Sequence, residues 1–373
     1  MKKVLIFSLA YYPHVGGAEV AVKEITDRIS DIEFHMVTMR FTPEQKAEEK
    51  IGNVQVHRIL SGNTRLNKFL FQFLAYRKAA ALHSQFNFDA IWALMAHSTG
   101  VPAGLFKNRF PRVGYVLNLQ EGDPLEYVEN TMRPLWPLFV RGFTKADIVQ
   151  PLSSFLGSWA RRLGFTGTIE IIPNGADVKR FSGELVPHAG TVLVTTSRLV
   201  RKNAIDDVIR ALPRLADVRF KVLGTGPEEN ALRELAEKEG VSNRVQFLGH
   251  IDHENMLTHL HSADIFVRPS RSEGFGASFV EAMAAGLPVI ATQEGGIADF
   301  LFDEKHNPDK STTGWAVDKD SPEQIAEAVK DIMARPEKVR EVVATAKKMV
   351  EEKYDWDIIA KNMREKVFTK LFA

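Results

Sequence analysis

The chain has 373 residues, a formal net charge of +1, no cysteine and an apolar fraction of 45%. This length holds two domains with full cores, and the absence of cysteine excludes disulfides, thiolate catalysis and sulfur-ligated metal. The near-neutral balance excludes a dedicated nucleic-acid binder, which carries a marked basic excess.

The opening MKKVLIFSLAYYPHVGG places two lysines before an apolar run, as a secretion signal does. The run is short, however, and leads into Tyr11, Tyr12, Pro13 and a glycine pair instead of a small-residue cleavage site. A first buried strand, VLIF at 4–7, is expected. Gly16 and Gly17 then sit where that strand turns into a helix. Without side chains there, backbone N–H groups can approach a phosphate or sugar, although a tight turn with no ligand is the alternative. The turn is not a GxGxxG fingerprint, and His14 beside it is read as a surface residue with no catalytic role.

Further short apolar runs follow: 34–39, 54–59, 90–94, 113–119, 147–152 and 169–175. They alternate with helical patterns, which predicts parallel βαβ units covered on both faces. Between Arg65 and Arg162 there are twelve Lys and Arg against six Asp and Glu. That bias is either a basic surface facing an anionic partner or a chance distribution of solvated charge. The polar segment 177–190 reads as a linker.

The strand pattern restarts at 191–199 and continues at 219–224, 244–249, 264–270, 288–292 and 314–317, so a second doubly wound domain is expected. A helical stretch over 321–352 closes it, and a last amphipathic helix runs toward Phe372. The reading gives a first domain over 1–180, a second over 186–353, and a C-terminal helix, 356–373, packing back on the first. Two such domains are expected to face each other across a cleft at the carboxyl ends of their sheets, where open α/β sheets bind ligands. No apolar segment approaches the roughly 20 residues that cross a bilayer. A soluble or peripheral protein is expected, cytoplasmic or at the inner face of the membrane.

The stretch EGFGASFVEAMAAGLP, 273–288, carries the most chemistry. Gly274 and Gly276 free the backbone, Ala277 to Ala285 are mostly good helix formers, and Gly286 with Pro288 stops the helix. Glu273 therefore sits on a loop and Glu281 about one turn inside a helix. The helix N-terminus suits an anionic phosphate, while two carboxylates flanking it accept hydrogen bonds from hydroxyl-rich groups on either side. That combination fits a nucleotide-sugar; an ordinary loop and helix with solvated acids is the alternative. Arg198 and Lys202, four apart in SRLVRKN, follow the first strand of the second domain and can aim two cations at one diphosphate. Gly224-Thr225-Gly226 follows its second strand.

Other motifs favour structural roles. QEGG at 293–296 is a strand-to-helix turn or a ligand contact. Asp318-Lys319-Asp320 has the form of a metal-binding Asp-x-Asp but precedes SPEQ, a helix start with capping chemistry. His250, His253, His259 and His261 run into a helix without a coherent ligand set. No metal is predicted.

IPNGAD (172–177), SRLVRK (197–202), VLGTGPE (222–228), VQFLGHI (245–251) and EGFGASFVEAMAAGLPVIAT (273–292) together resemble the retaining GT-B glycosyltransferases of family four, in order and across essentially the whole chain. The resemblance implies that Arg198 and Lys202 bind the donor diphosphate, Glu273 the transferred sugar and Glu281 the ribose. It further implies that backbone groups of Phe275, Gly276, Ala277 and Ser278 meet phosphate and sugar, that Gly16 and Gly17 close on the diphosphate, and that the backbone around Ile251 meets the base. Two positions depart from the family. Gln120 in LNLQEGD stands where a His is common, and it can bond a sugar hydroxyl but cannot take a proton. Asn203 stands where a glycine is usual, and Asn tolerates left-handed backbone geometry.

The expected activity is transfer of a hexose, of mannose or glucose type, from a GDP- or UDP-linked donor to a hydroxyl of a glycan or lipid-linked acceptor, with retention and with no metal or other cofactor. A nucleotide-sugar epimerase, a phosphorylase and a non-catalytic nucleotide-sugar sensor are the rival readings. The segments 65–80 and 133–143 mix aromatic, aliphatic and basic residues, so either is a candidate for peripheral contact with an anionic membrane, with core packing as the alternative. No nucleic-acid partner is expected.

Overall fold

Runs rich in β-branched residues, apolar on both faces, pair as parallel strands because both faces can then be covered by the helices that connect them. In the computed structural model, which describes residues 1–181, 183 and 186–372 and all side chains among them except those of His253 and Glu254, the chain divides into two units. One comprises Met1–Asn174 and the segment from Trp356 onward; the other comprises Gly175–Asp355.

The first unit holds an eight-stranded sheet in the order β3-β4-β2-β1-β5-β6-β7-β8. Its strands are β1 (Lys2–Phe7), β2 (Ile32–Met39), β3 (Glu48–Ile51), β4 (Val54–Ile59), β5 (Ala90–Leu94), β6 (Gly114–Leu119), β7 (Ile148–Pro151) and β8 (Thr168–Ile169). All pairings are parallel except β3 with β4. The helices are α1 (Gly17–Asp27), α2 (Arg65–Phe86), α3 (Val101–Arg109), α4 (Leu125–Met132), α5 (Trp136–Thr144) and α6 (Ser154–Arg162). β3 escapes the sequence pattern because EEKI is a polar edge strand with no apolar face to read. The expected strand over 169–175 is cut short at Ile169. Beyond it the chain keeps only single bonds to β7, from Glu170 N–H to Val149 O and from Ile172 N–H to Pro151 O, before Pro173 removes a donor.

The second unit holds a six-stranded, wholly parallel sheet in the order β11-β10-β9-β12-β13-β14. Its strands are β9 (Thr191–Thr196), β10 (Val218–Leu223), β11 (Val245–Gly249), β12 (Ile265–Arg268), β13 (Val289–Ala291) and β14 (Trp315–Ala316). The helices are α7 (Val178–Phe181), α8 (Ile205–Ala211), α9 (Glu229–Lys238), α10 (His253–His261), α11 (Ala277–Ala284), α12 (Pro322–Ala334) and α13 (Pro336–Lys353). Of the expected linker, residues 182, 184 and 185 lie outside the described residues, while Val178 and Phe181 are buried within the second unit. The helix expected over 321–352 is two helices, because Pro336 removes an N–H and forces Arg335 out of the helical region.

After Asp355 the chain returns to the first unit as α14 (Trp356–Asn362), a π turn at Met363–Phe368 and a short last turn. Trp356, Ile359, Met363, Val367 and Phe368 are buried in the same core as Val4, Phe34 and Trp92, each contributing about 2 kcal/mol of apolar burial. Where the chain enters and leaves the second unit, Ala176 N–H donates to Tyr354 O at 2.7 Å and Ala176 bridges to Asp355.

Candidate active site

Strand order marks where each sheet can hold a ligand. In an open α/β sheet, successive connections diverge at the strand pair where the order reverses, leaving a crevice at the carboxyl ends. In the second unit the reversal lies between β9 and β12. The turn after β9 carries Arg198 and Lys202; the turn after β12 carries Glu273 and leads into α11.

The turn after β9 is fixed by its own backbone. Leu199 N–H donates to Thr225 O and Glu228 N–H to Leu199 O, so the turn stacks on Gly224-Thr225-Gly226. A Cβ on Gly226 would lie 2.2 Å from Leu199 O, so only glycine permits this approach. The exposed Arg198 guanidinium forms no ion pair among the described residues. Lys202 is half-buried on a short 3-10 turn, Arg201–Asn203. The tolerance of Asn203 for left-handed geometry is not used: Ala204 takes it, at φ 54°, and Asn203 is buried with its amide donating to Arg198 O at 2.7 Å. Asn203 therefore braces the backbone that presents Arg198.

Arg271 joins the two turns. Its N–H donates to Lys202 O at 2.7 Å and its Nη1 to Arg201 O at 2.8 Å. The same guanidinium pairs with Asp206, Asp207 and Asp320 at 2.9, 2.9 and 2.5 Å. Burial and the neighbouring Asp206 push the Asp207 carboxyl up to about 6, whereas Arg271 and Arg210 outweigh burial at Asp206 and hold it low.

Glu273 meets a buried cation. Arg268 Nη2 donates to Glu273 Oε2 at 2.8 Å and Arg268 Nη1 to Ser278 Oγ at 2.7 Å. Glu273 Oε1 accepts from Gly274 N–H at 3.1 Å. Gly276 caps α11 at φ 88°, where a Cβ would also sit 2.5 Å from the Phe279 ring. Phe275 is buried against Phe300 and Tyr354, so only its backbone is available to a ligand. Ala277 and Ser278 open α11 and are half-buried; Glu281 lies inside it, also half-buried, and acts electrostatically on Arg268.

The remaining motifs have structural partners. Gln293 donates to Leu301 O and to Asn307, and Glu294 pairs with Lys319. Asp318 exchanges bonds with Gln324, and Asp320 pairs with Arg271. Of the histidines, His250 is exposed beside Asp252, His261 is buried against Phe181 O, and the His253 side chain lies outside the described residues. Ile251 is half-buried just after β11. Among the described residues no group of three or more His, Asp or Glu is placed to hold a metal ion.

In the first unit the order reverses between β1 and β5. Gly16 and Gly17 are exposed after β1. Gly16 N–H donates to the Glu19 carboxylate at 2.7 Å, so α1 caps itself with its own acid; Gly17 has open space around its Cα. Gln120 follows β6 in an amide chain: its Nε2 donates to Asn118 at 2.7 Å and its Oε1 accepts from Asn174 at 3.2 Å, while Asn118 donates to Gln150. One N–H and one lone pair of Gln120 remain for a ligand. The turn after β5 adds His97, which sequence reading missed. It opens a π turn behind Met95 at φ 62°, and its Nδ1 lies 3.3 Å from the buried Glu121 carboxylate. A carboxylate only accepts, so Nδ1 donates to it and Nε2 faces away from Glu121. The sequence signal was a lone His after AIWAL, meaningful only once the strand order is known.

Residues 15–180 match the model of Glycosyltransferase Family 4, and residues 179–349 match Glycosyl transferases group 1. Sucrose-phosphate synthase from Thermosynechococcus elongatus superposes with a TM-score of 0.84 over 100% of this chain and 99% of its own, at 20% identity. The chain belongs to the GT-B glycosyltransferases. HepE of Anabaena, solved in complex with UDP-glucose, shares the fold with a TM-score of 0.78 over 99% of this chain and 100% of its own, at 18% identity. By sequence, this glycosyltransferase is 25% identical to an uncharacterized glycosyltransferase of Methanocaldococcus jannaschii over 99% of this chain and 98% of that one. It is 30% identical to the GDP-mannose-dependent alpha-(1-6)-phosphatidylinositol monomannoside mannosyltransferase of Mycobacterium tuberculosis, over 59% of this chain and 61% of that one.

Proposed function

We propose that the protein transfers a hexose, of mannose or glucose type, from a GDP- or UDP-linked donor to a hydroxyl of a glycan or lipid-linked acceptor, with the anomeric configuration retained. The observation that carries this is the pairing of two turns at the reversal point of the second sheet, one cationic with Arg198 and Lys202 and one acidic with Glu273, bound to each other through Arg271. The named activities of the mannosyltransferase relatives and the UDP-glucose bound to HepE support a nucleotide-sugar donor.

In this reading the bond between the sugar C1 and the diphosphate oxygen breaks, and the acceptor oxygen bonds to C1 on the same face. The acceptor proton passes to the departing phosphate oxygen. Arg198 and Lys202 neutralise the charge that grows on the leaving group, the largest electrostatic demand of the step, so no divalent cation is assigned. Backbone N–H groups of Gly276 to Ser278 meet phosphate, Glu273 accepts from sugar hydroxyls, and Glu281 accepts from the ribose. Around Ile251 the backbone meets the base, and Gly17 approaches the diphosphate. In the first unit Gln120 and His97 offer hydrogen-bonding groups to hydroxyls.

The acceptor reading includes peripheral membrane contact at the cytoplasmic face. Phe71 and Ala75 of α2 and Phe139 and Phe143 of α5 are core, but Leu66 and Phe69 are 65% and 48% exposed beside Arg65 and Lys68 in the first turns of α2. No helix among the described residues is long and apolar enough to cross a membrane.

The test is nucleotide release from UDP-, GDP- and ADP-sugars with and without glycan and polyprenyl-linked acceptors, in EDTA, with the product anomer read by NMR. Acceptor-dependent release with retention is expected. Conversion of donor to its epimer without acceptor identifies an epimerase, and binding without turnover a sensor.

A further inference from the structure

We infer that Arg268 is a positioning residue that sets the hydrogen-bonding polarity of the donor site, holding Glu273 as an acceptor toward sugar hydroxyls and making the Ser278 hydroxyl a donor toward the diphosphate; this rests on the nucleotide-sugar reading above. Arg268 ends β12, a strand otherwise made of Ile265, Phe266 and Val267, and its side chain is only 7% exposed. A cation this deep in an apolar strand needs a full set of partners. It has them. Nε donates to Ser270 Oγ at 3.2 Å, Nη1 to Thr196 O at 3.1 Å and to Ser278 Oγ at 2.7 Å, and Nη2 to Glu273 Oε2 at 2.8 Å, while the guanidinium lies 4.2 Å from the Phe279 ring centroid. Burial lowers the Arg268 pKa, and the charges of Glu273 and Glu281 oppose that, so these acids favour the cation.

Because a guanidinium has only donors, each contact dictates what its partner can do next. Ser278 Oγ spends one of its two lone pairs on Nη1, and its proton stays available to offer outward. That proton, beside a cation that repels a second donor, suits an anionic phosphate at the start of α11. Glu273 is engaged through Oε2 by Arg268 and through Oε1 by Gly274 N–H, which fixes the carboxylate plane. The lone pairs that remain can only accept. One planar fork thus coordinates two ligand contacts of opposite sense, a task a lysine point charge cannot copy.

The experiment is a pair of double-mutant cycles, Arg268→Lys with Glu273→Gln and Arg268→Lys with Ser278→Ala, on protein whose folding is checked by circular dichroism. Steady-state turnover is measured along with calorimetric binding of UDP, GDP, UDP-glucose and GDP-mannose. R268K is expected to lower kcat about tenfold or more, and combining it with E273Q is expected to cost no more than about twofold beyond E273Q alone, because both remove the same interaction. S278A is expected to weaken nucleoside diphosphate binding about tenfold, as loss of a bond to a charged group does, while E273Q weakens only the sugar nucleotides. Independent, multiplying losses in the cycles, or an R268K enzyme with parental kinetics, overturns the inference while leaving the nucleotide-sugar reading intact. Should R268K not fold, S278A and E273Q alone decide it: unchanged diphosphate affinity in S278A overturns it. Sugar-nucleotide binding and turnover both unaffected by E273Q would instead remove the underlying reading.

Discussion

The two sheets end in opposite chemistry. At the carboxyl edge of the second, Arg198, Lys202, Arg271 and Glu273 on the turns after β9 and β12 gather with Arg268 at the end of β12 and Asp206 and Asp207 at the start of α8. At the same edge of the first, the helix terminus is capped by Glu19 and the side chains form a neutral amide chain from Gln150 through Asn118 and Gln120 to Asn174. Both use one architecture with a reversal between parallel strands. The difference therefore lies in what the turns carry, cations paired with carboxylates at one edge and a chain of amides at the other; under the proposed function the first answers phosphate charge and the second answers hydroxyls.

The strongest way to break this comparison is to remove the charges. Arg198→Ala with Lys202→Ala is expected to lower kcat by about a thousandfold or more, since in the proposed transfer each cation stabilises the leaving group most where the bond is breaking; initial-rate assays check this, and a loss under tenfold refutes the division of labour. Next is Arg271→Met. Removing one member of a largely buried ion cluster strands Asp207, whose side chain is 3% exposed, at a cost of about 3 kcal/mol. Urea unfolding reads that loss, and faster hydrogen exchange at 201–207 is expected to show that the Lys202 turn has loosened.

The first unit should respond more mildly. Gln120→Ala removes one neutral ligand bond, so an acceptor KM raised about fivefold with unchanged nucleotide affinity is expected, and calorimetry beside kinetics checks both. The smallest effect is in pH. Burial pushes the His57 imidazole below its ordinary 6.5, so the unfolded chain binds more protons near that pH and the first unit loses stability as pH falls through about 6.5. Asp207 has the opposite sign: with its folded pKa at about 6 against 3.8, the native state binds more protons between those values, and stability falls as pH rises through that window. Asp206, held low, contributes stability that is lost only as pH falls below its ordinary 3.8, outside the Asp207 window. Thermal scans of His57→Gln and Asp207→Asn from pH 4 to 7 should show slopes flattened in opposite directions.

How much could be read beforehand follows the same divide. Glu273 to Glu281 and Arg198 to Lys202 are contiguous stretches whose turn, helix start and charge are local properties, so the sequence displays them. Arg268 stood in plain view inside DIFVRPS, yet its meaning depends on Thr196 and Ser278, which only the folded sheet brings to it. His97 and Glu121 are separated by 24 positions and meet because β5 pairs with β6. β3 was hidden by its polarity, and the π turn near the C-terminus by an unbroken amphipathic pattern. Ala204 in left-handed geometry was not foreseeable, because the bonds that close the Arg198–Ala204 turn override the preference of the single residue.

The hydrogen bond from Ala176 to Tyr354 gives the second unit adjoining ends. A segment whose beginning and finish touch behaves like a cassette spliced into its host: it can be exchanged whole, with a single seam to repair. The molecule is therefore suited to recombination in which the second unit is exchanged while the core sealed by Trp356 and Phe368 is left untouched.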